Sequence, residues 1–329
     1  MVIIKHLITA QDWKLDEINF LIDKAFEMKK RKDINDIYEP LKNKTMIMIF
    51  YNPSTRTRTS FEIAMTQLGG HAIYMSSEKS WIGQESESVK DTARVLSRYA
   101  DLIAIRMFPN ASKWIYGASN ASLREYCENS TVPIINLEDD MYHPCQALTD
   151  LMTIKEFKGK IENKKLTISW AYHPKPLPMS VVNSILLIST RFGLDVTLTH
   201  PKGFELSPQI LDLAKTNSKG SGSNFEISHN MDEGYNDADI VYLKSWGAFQ
   251  HYGNFQEEKK LRQPYREKWI CNEEIMEKTK KDSIFMHCLP VRRNVVVTDS
   301  VIDGPHSVVY DQAENRLHLQ KALLEYLIG

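Results

Sequence analysis

The sequence predicts two parallel α/β sheets, each doubly wound and built one after the other along the chain. Three observations carry that expectation. Short apolar runs suited to buried strands alternate with stretches whose apolar residues recur at helical spacing. The alternation resumes as a second series after a helical stretch at residues 146–157. The chain has 329 residues, 42% of them hydrophobic, which is enough for two cores.

In order, strands are expected near residues 46–50, 72–75, 102–105 and 133–136, with helices at 61–68 and 89–99 between them. Each strand run is short and apolar, and each helical run places apolar residues three or four apart, as Phe61, Met65 and Leu68 do. The second series has strands at 165–170, 195–199, 225–228, 239–242 and 283–286, and a closing helix at 313–327. Strands separated by helices favour parallel pairing. Residues 218–224, SKGSGSN, read as a surface loop, and no internal repeat is evident. The domain expectation is residues 1–145 with 313–329 as one unit and 146–312 as the other.

Composition excludes several classes. A formal net charge of −1 leaves no global basic field, which argues against a nucleic-acid partner. No apolar run reaches membrane length, and the first residues lack the pattern of a secretory signal, so a cytoplasmic protein without a membrane partner is expected. Cys127, Cys145, Cys271 and Cys288 show no C-x-x-C spacing; free thiols and no zinc are expected.

The most informative segment is FYNPSTRTRTSFE, residues 50–62, where an apolar strand turns into a helix. A helix start exposes unpaired N–H groups and the positive end of the macrodipole. Ser54, Thr55, Arg56 and Thr57 can therefore surround an anion with donors from main chain and side chain, and the planar fork of Arg56 suits phosphate oxygens. Ser54 can also act simply as the helix cap. Arg58, two residues on from Arg56, points to another helix face and suits a structural role.

This string resembles the carbamoyl-phosphate motif of the aspartate and ornithine carbamoyltransferase family. HPCQ at residues 143–146, HCLP at 287–290 and AENR at 313–316 agree with it in order and rough spacing, over nearly the whole chain. The resemblance implies a carbamoyl-phosphate-binding first domain, an amino-acid-binding second domain, two helices that bridge them and ligands at the carboxyl ends of the strands between the domains. It implies a reaction without metal or cofactor. Ser54, Thr55, Arg56 and Thr57 would hold the phosphate, with Arg316 reaching the same region. Thr57, Arg106, His143 and Gln146 would surround the carbamoyl group. Cys288 and Leu289 would receive the reacting δ-amine through a thiol and a main-chain carbonyl, so the catalytic set is Arg106, His143 and Cys288. Glu314 and Asn315 are expected to serve structure.

The acceptor is read from departures. Free-ornithine enzymes of the family resemble one another in a D-x-x-x-S-M-G segment after a late strand; here VYLKSWGAF stands instead, with Lys244 and Trp246. A lysine suits a carboxylate and repels a free α-ammonium. The loop AYHPKPLP, residues 171–178, looks like the proline-rich, knotted loop of the N-acetylornithine and N-succinylornithine carbamoyltransferases. Trp81 matches a tryptophan that in those enzymes reaches a neighbouring subunit's site, which implies a homotrimer, and Glu138 matches a glutamate lining the amino-acid side. His173, Lys175, Lys244 and Arg292 offer donors for one carboxylate or two. Arg292 and Arg293 look like the N-acetyl branch, Pro178 and Val296 like the N-succinyl branch, and Ser86 or a neighbour occupies the place that separates them. The expected partners are carbamoyl phosphate and an N-acylated ornithine, with the acyl group open. The alternatives are an ordinary ornithine carbamoyltransferase and a non-catalytic paralogue that binds carbamoyl phosphate.

Overall fold

The computed structural model describes residues 4–33, 37–82 and 87–329. Contacts divide the chain into two compact units, Met1–Met152 with Glu314–Gly329, and Thr153–Ala313.

The first unit opens with α1 (Leu15–Asp33) and continues through β1 (Thr45–Phe50), α2 (Arg56–Gln67), β2 (His71–Ser76), α3 (Val89–Leu96), β3 (Leu102–Arg106), α4 (Ala118–Asn129) and β4 (Ile134–Glu138) to the start of α5 (Pro144–Lys158). Among the described residues its sheet has four parallel strands in the order β2-β1-β3-β4. The apolar runs form the interior strands because both faces are covered: Ile47, Ile49, Ile103 and Ile105 pack against Ala93, Leu123 and Tyr126 of the helices.

The second unit contains β5 (Lys165–Trp170), α6 (Ser180–Arg191), β6 (Asp195–Thr199), α7 (Pro208–Ser221), β7 (Phe225–Ser228), α8 (Met231–Tyr235), β8 (Ile240–Lys244), α9 (Phe255–Arg262), α10 (Glu273–Met276), β9 (Ile284–Met286) and α11 (Asp299–Ile302). Its strands pair in parallel in the order β7-β6-β5-β8-β9, with Val241, Leu243, Phe285 and Val297 in the core on one face. The last helix, α12 (Val309–Ile328), begins four residues earlier than the sequence pattern suggests. The division between units falls inside α5 and inside α12.

One expectation is corrected. Residues 218–221 belong to α7 and not to a loop; the helix ends where Gly222 takes the left-handed conformation, φ 74°, and its amide bonds the Ser218 carbonyl. A serine-rich string reads as a loop, yet Ser221 Oγ donates to the Thr190 carbonyl at 2.7 Å and holds that last turn in place.

Candidate active site

In the first unit, the residues singled out above meet at the carboxyl edge of the sheet. Arg106 is the last residue of β3 and Glu138 the last of β4, while β1 delivers the turn that becomes α2. Arg106 Nη1 lies 2.9 Å from Glu138 Oε2 and 3.4 Å from Thr57 Oγ1. Arg316, on α12, reaches the same hydroxyl: its Nη2 is 3.3 Å from Thr57 Oγ1, and its Nη1 donates to Gln146 Oε1 at 2.5 Å and lies 3.4 Å from His143 Nε2. His143 Nε2 is also 3.6 Å from Glu138 Oε2. Thr57, Arg106, Glu138, His143, Gln146 and Arg316 are all buried. Two guanidinium groups thus converge on one threonine hydroxyl, and the His143 imidazole lies beside one of them. Glu138 supplies a carboxylate against Arg106 and His143, and the two guanidinium groups beside it suit an anion.

The turn before α2 presents its backbone without a side-chain cap: the cap position is Thr55, not Ser54, and its hydroxyl makes no capping bond. Thr55 and Arg56 are exposed and Ser54 half-buried. A helix start without a side-chain cap suits an anion that its amides can reach. Arg58 turns away from this group, its Nε 2.9 Å from Glu62 Oε1 and its guanidinium 3.8 Å above the centre of the Tyr74 ring. That is the structural role expected of it.

His143 is set by a feature the sequence analysis missed. Asp139 accepts hydrogen bonds from the amides of Met141 and Tyr142 at 2.7 and 2.6 Å and from the side chains of Asn120 and Asn136 at 2.7 and 2.9 Å. Burial pushes its carboxyl up to about 7. The tight turn it ties delivers His143 to the start of α5, where the His143 carbonyl accepts from the Ala147 amide at 3.1 Å and Pro144 occupies the first helical position. An aspartate just after a strand and two or three residues before bonded amides was the available signal. Asn315 and Glu314 serve structure as expected: Asn315 Oδ1 accepts from Lys29 Nζ at 2.9 Å, and Glu314 Oε1 is 3.6 Å from His318 Nε2.

The second unit gathers the rest at the carboxyl edge of its own sheet. His173 follows β5, Lys244 ends β8, and Cys288 and Leu289 follow β9. Arg292 Nε donates to His173 Nε2 at 3.0 Å, so that nitrogen accepts, while Nδ1 lies 2.7 Å from the Lys175 carbonyl and 3.1 Å from the Lys175 amide. Burial, with Arg292, Lys244 and Arg262 adding like charge, lowers the imidazole to about 4. Lys244 is buried, its Nζ donating to the Ser245 carbonyl at 3.0 Å. Lys175 is exposed, and Cys288 and Leu289 are half-buried, the Leu289 amide donating to His287 Nδ1 at 2.9 Å.

Buried Arg262, absent from the sequence reading, ties this loop together. It is ion-paired with Glu258 and donates to the carbonyls of His173 at 3.3 Å and Trp246 at 2.9 Å. Its only sequence signal is the i, i+4 spacing from Glu258, which normally marks an exposed pair. Trp81 is 67% exposed, and Ser86 lies outside the described residues. Val296 is buried in the core, and all four cysteines are free thiols. No helix among the described residues is long and apolar enough to cross a membrane.

Comparison with known proteins gives the arrangement its family. Residues 5–156 match the family model described as aspartate/ornithine carbamoyltransferase, carbamoyl-P binding domain, and residues 177–327 match its Asp/Orn binding domain. The chain is 41% identical to an N-acetylornithine carbamoyltransferase of Xanthomonas campestris pv. campestris, over 99% of this chain and 98% of that protein. It is 38% identical to an anabolic ornithine carbamoyltransferase of Pyrococcus furiosus, over 99% and 96%. The crystal structure of an acetylornithine transcarbamylase complexed with acetylcitrulline superposes with a TM-score of 0.91 at 40% identity, covering 99% of this chain and all of that one. Two matched domain models and whole-length relatives, on two parallel sheets with this cationic edge, establish that the chain belongs to the aspartate/ornithine carbamoyltransferase family.

Proposed function

We propose that this protein transfers the carbamoyl group of carbamoyl phosphate to the δ-amine of an N-acylated ornithine, N-acetyl- or N-succinyl-L-ornithine, giving the N-acylcitrulline and phosphate in arginine biosynthesis. The convergence of Arg106 and Arg316 on Thr57, with His143 beside Arg316, is the observation that carries this reading. It suits a donor that is both a phosphate and a carbonyl.

In this reading the first unit holds the donor. The amides after Ser54, with Thr55, Arg56, Thr57 and Arg316, take the phosphate, and Arg106, His143 and Gln146 take the carbamoyl oxygen. Hydrogen bonds to that oxygen strengthen as the amine attacks and negative charge develops on it. The tetrahedral intermediate then expels phosphate, which can accept the proton that the nitrogen sheds. The second unit holds the acceptor: Cys288 and the Leu289 carbonyl receive the amine, and His173, Lys175, Lys244 and Arg292 recognise the acylated amino-acid end, with Glu138 and Trp81 contributing to the same specificity. A buried lysine at the end of β8 favours a carboxylate over a free α-ammonium. An exposed Trp81 supports a homotrimer in which it reaches a neighbouring subunit, and the proline-rich string AYHPKPLP supports a threaded loop at residues 171–178. A cytoplasmic location accords with such small-molecule chemistry.

The relatives support the acceptor as well as the reaction. Alongside the acetylcitrulline complex stands a variant N-acetyl-L-ornithine transcarbamylase complexed with carbamyl phosphate and N-succinyl-L-norvaline, TM-score 0.91 at 39% identity. The test is a carbamoylation assay with ornithine, N-acetylornithine and N-succinylornithine at matched concentrations. At least one acylated substrate should be turned over far faster than ornithine; preferential turnover of free ornithine rejects the acceptor, and no turnover of any rejects the enzyme.

A further inference from the structure

The carboxyl edge of the second sheet carries a side-chain group that the proposed reaction does not use. His200 follows β6, His229 follows the neighbouring strand β7, and Glu205 lies on the connection from β6 to α7. One ligand-capable atom from each lies within 4.8 Å of the other two. His200 Nδ1 is 2.9 Å from the Pro201 carbonyl, and His229 Nδ1 is 2.9 Å from the His200 carbonyl. A carbonyl can only accept, so each ring carries its proton on Nδ1 and keeps an Nε2 lone pair available. Backbone carbonyls fix the rings of metal-ligating histidines in this way.

A second observation points to a missing ligand. His200 is fully buried, yet its Nε2 has no hydrogen-bond partner, a condition that buried polar atoms rarely tolerate. The Gly203 amide donates to Glu205 Oε1 at 3.0 Å and fixes the carboxylate in place. Two imidazole nitrogens and a carboxylate are the donor set of a transition metal, whereas calcium and magnesium prefer oxygen throughout.

We propose that His200 Nε2, His229 Nε2 and the Glu205 carboxylate bind one divalent transition-metal ion of the zinc class, with water completing the shell. This departs from the expectation of no metal, and it concerns support and not catalysis. Exposed His229 gives the ion an entry path. The ion joins the β6–α7 connection to the end of β7. That connection carries Phe204, whose carbonyl accepts from Trp246 Nε1 at 2.8 Å, two residues beyond Lys244. A bound ion therefore braces the segment that follows β8.

Full-length protein freed of metal by chelation would be titrated with Co²⁺ and followed by its visible absorption, then challenged with Zn²⁺. The expected result is one equivalent bound with no sulfur-to-metal charge-transfer band, affinity at least tenfold weaker in His229→Gln and in Glu205→Gln, and a melting temperature raised by Zn²⁺ in the parent but not in either variant. Both variants change side chains outside the core, so misfolding does not confuse the readout as His200→Ala would. No stoichiometric binding, a thiolate band, undiminished affinity in either variant, or no Zn²⁺ effect on parent melting would overturn the proposal.

Discussion

Arg106 and Glu138 end adjacent strands at paired positions, and their side chains meet at 2.9 Å while both are screened from solvent. The pairing register slips by one between Ile105 and Arg106, so that Ile105 pairs with Asn136 and Arg106 with Glu138. A slip of one residue turns a side chain to the opposite face of the sheet. This irregularity aims Glu138 at the arginine.

Removing one member of that pair should cost more than neutralising it. Glu138→Ala leaves a buried guanidinium without its carboxylate and should lower unfolding free energy by about 3–5 kcal/mol, whereas Glu138→Gln keeps an acceptor and should cost less. Urea unfolding of both variants measures this. Equal, sub-kcal losses would show that Arg106 is positioned by other groups.

Arg316 and Arg58 should separate sharply in ligand binding. Arg316 has its guanidinium against Thr57, Gln146 and His143, so Arg316→Ala should weaken calorimetric affinity for carbamoyl phosphate by ~10–100-fold, matching about 1.5–3 kcal/mol for hydrogen bonds to a charged group. Arg56→Ala should abolish it. Arg58→Ala should leave it within ~2-fold, since Arg58 is spent on Glu62 and Tyr74 and exposed pairs contribute little. Comparable losses in Arg58 and Arg316 variants would undo the assignment of the cationic edge.

Much of this was legible because the deciding signals are local. β5, β6 and β7 begin and end at the residues expected, since each apolar run is bounded by charged or turn-forming residues. The cationic edge was legible too, because Thr57, Arg106, His143, Gln146 and Arg316 each sit in a recognisable string. What escaped depends on proximity between distant positions. Asp139 matters for the amides it ties and Arg262 for the carbonyls of His173 and Trp246, 89 and 16 residues away. His200, Glu205 and His229 form a group only because β6 and β7 are neighbours. The α7 end was misread because serine and glycine content cannot report that Ser221 has a buried partner.

His173 gives a pH prediction of definite sign. Its folded value lies near 4, below the ordinary imidazole value of 6.5, because burial and nearby cations disfavour the charged ring. A depressed value contributes stability that is fully present above pH 6.5 and is lost as pH falls through 4. Unfolding free energy should therefore fall between these limits, and less steeply in His173→Gln. The ring carbon protons followed by NMR should titrate near pH 4. A midpoint near 6.5 would mean that Arg292 does not donate to a neutral ring.

The Glu258–Arg262 pair tests whether buried charge is kept here for stability or for placement. Arg262→Ala leaves Glu258 without its partner in the interior and the carbonyls of His173 and Trp246 without their donor, and should cost about 3–5 kcal/mol. Replacing both residues by methionine should recover much of that loss, since the pair's desolvation penalty disappears with its attraction. The recovered protein should still bind its acceptor poorly: Arg262 holds the loop bearing His173 and the segment after Lys244, so KM for the acylated acceptor should rise ~10-fold or more while carbamoyl phosphate affinity stays unchanged. Urea unfolding and steady-state kinetics on the double variant separate the two effects. Restored stability with an unaltered KM would show that the guanidinium is structural only, and that the acceptor loop is held by its remaining contacts.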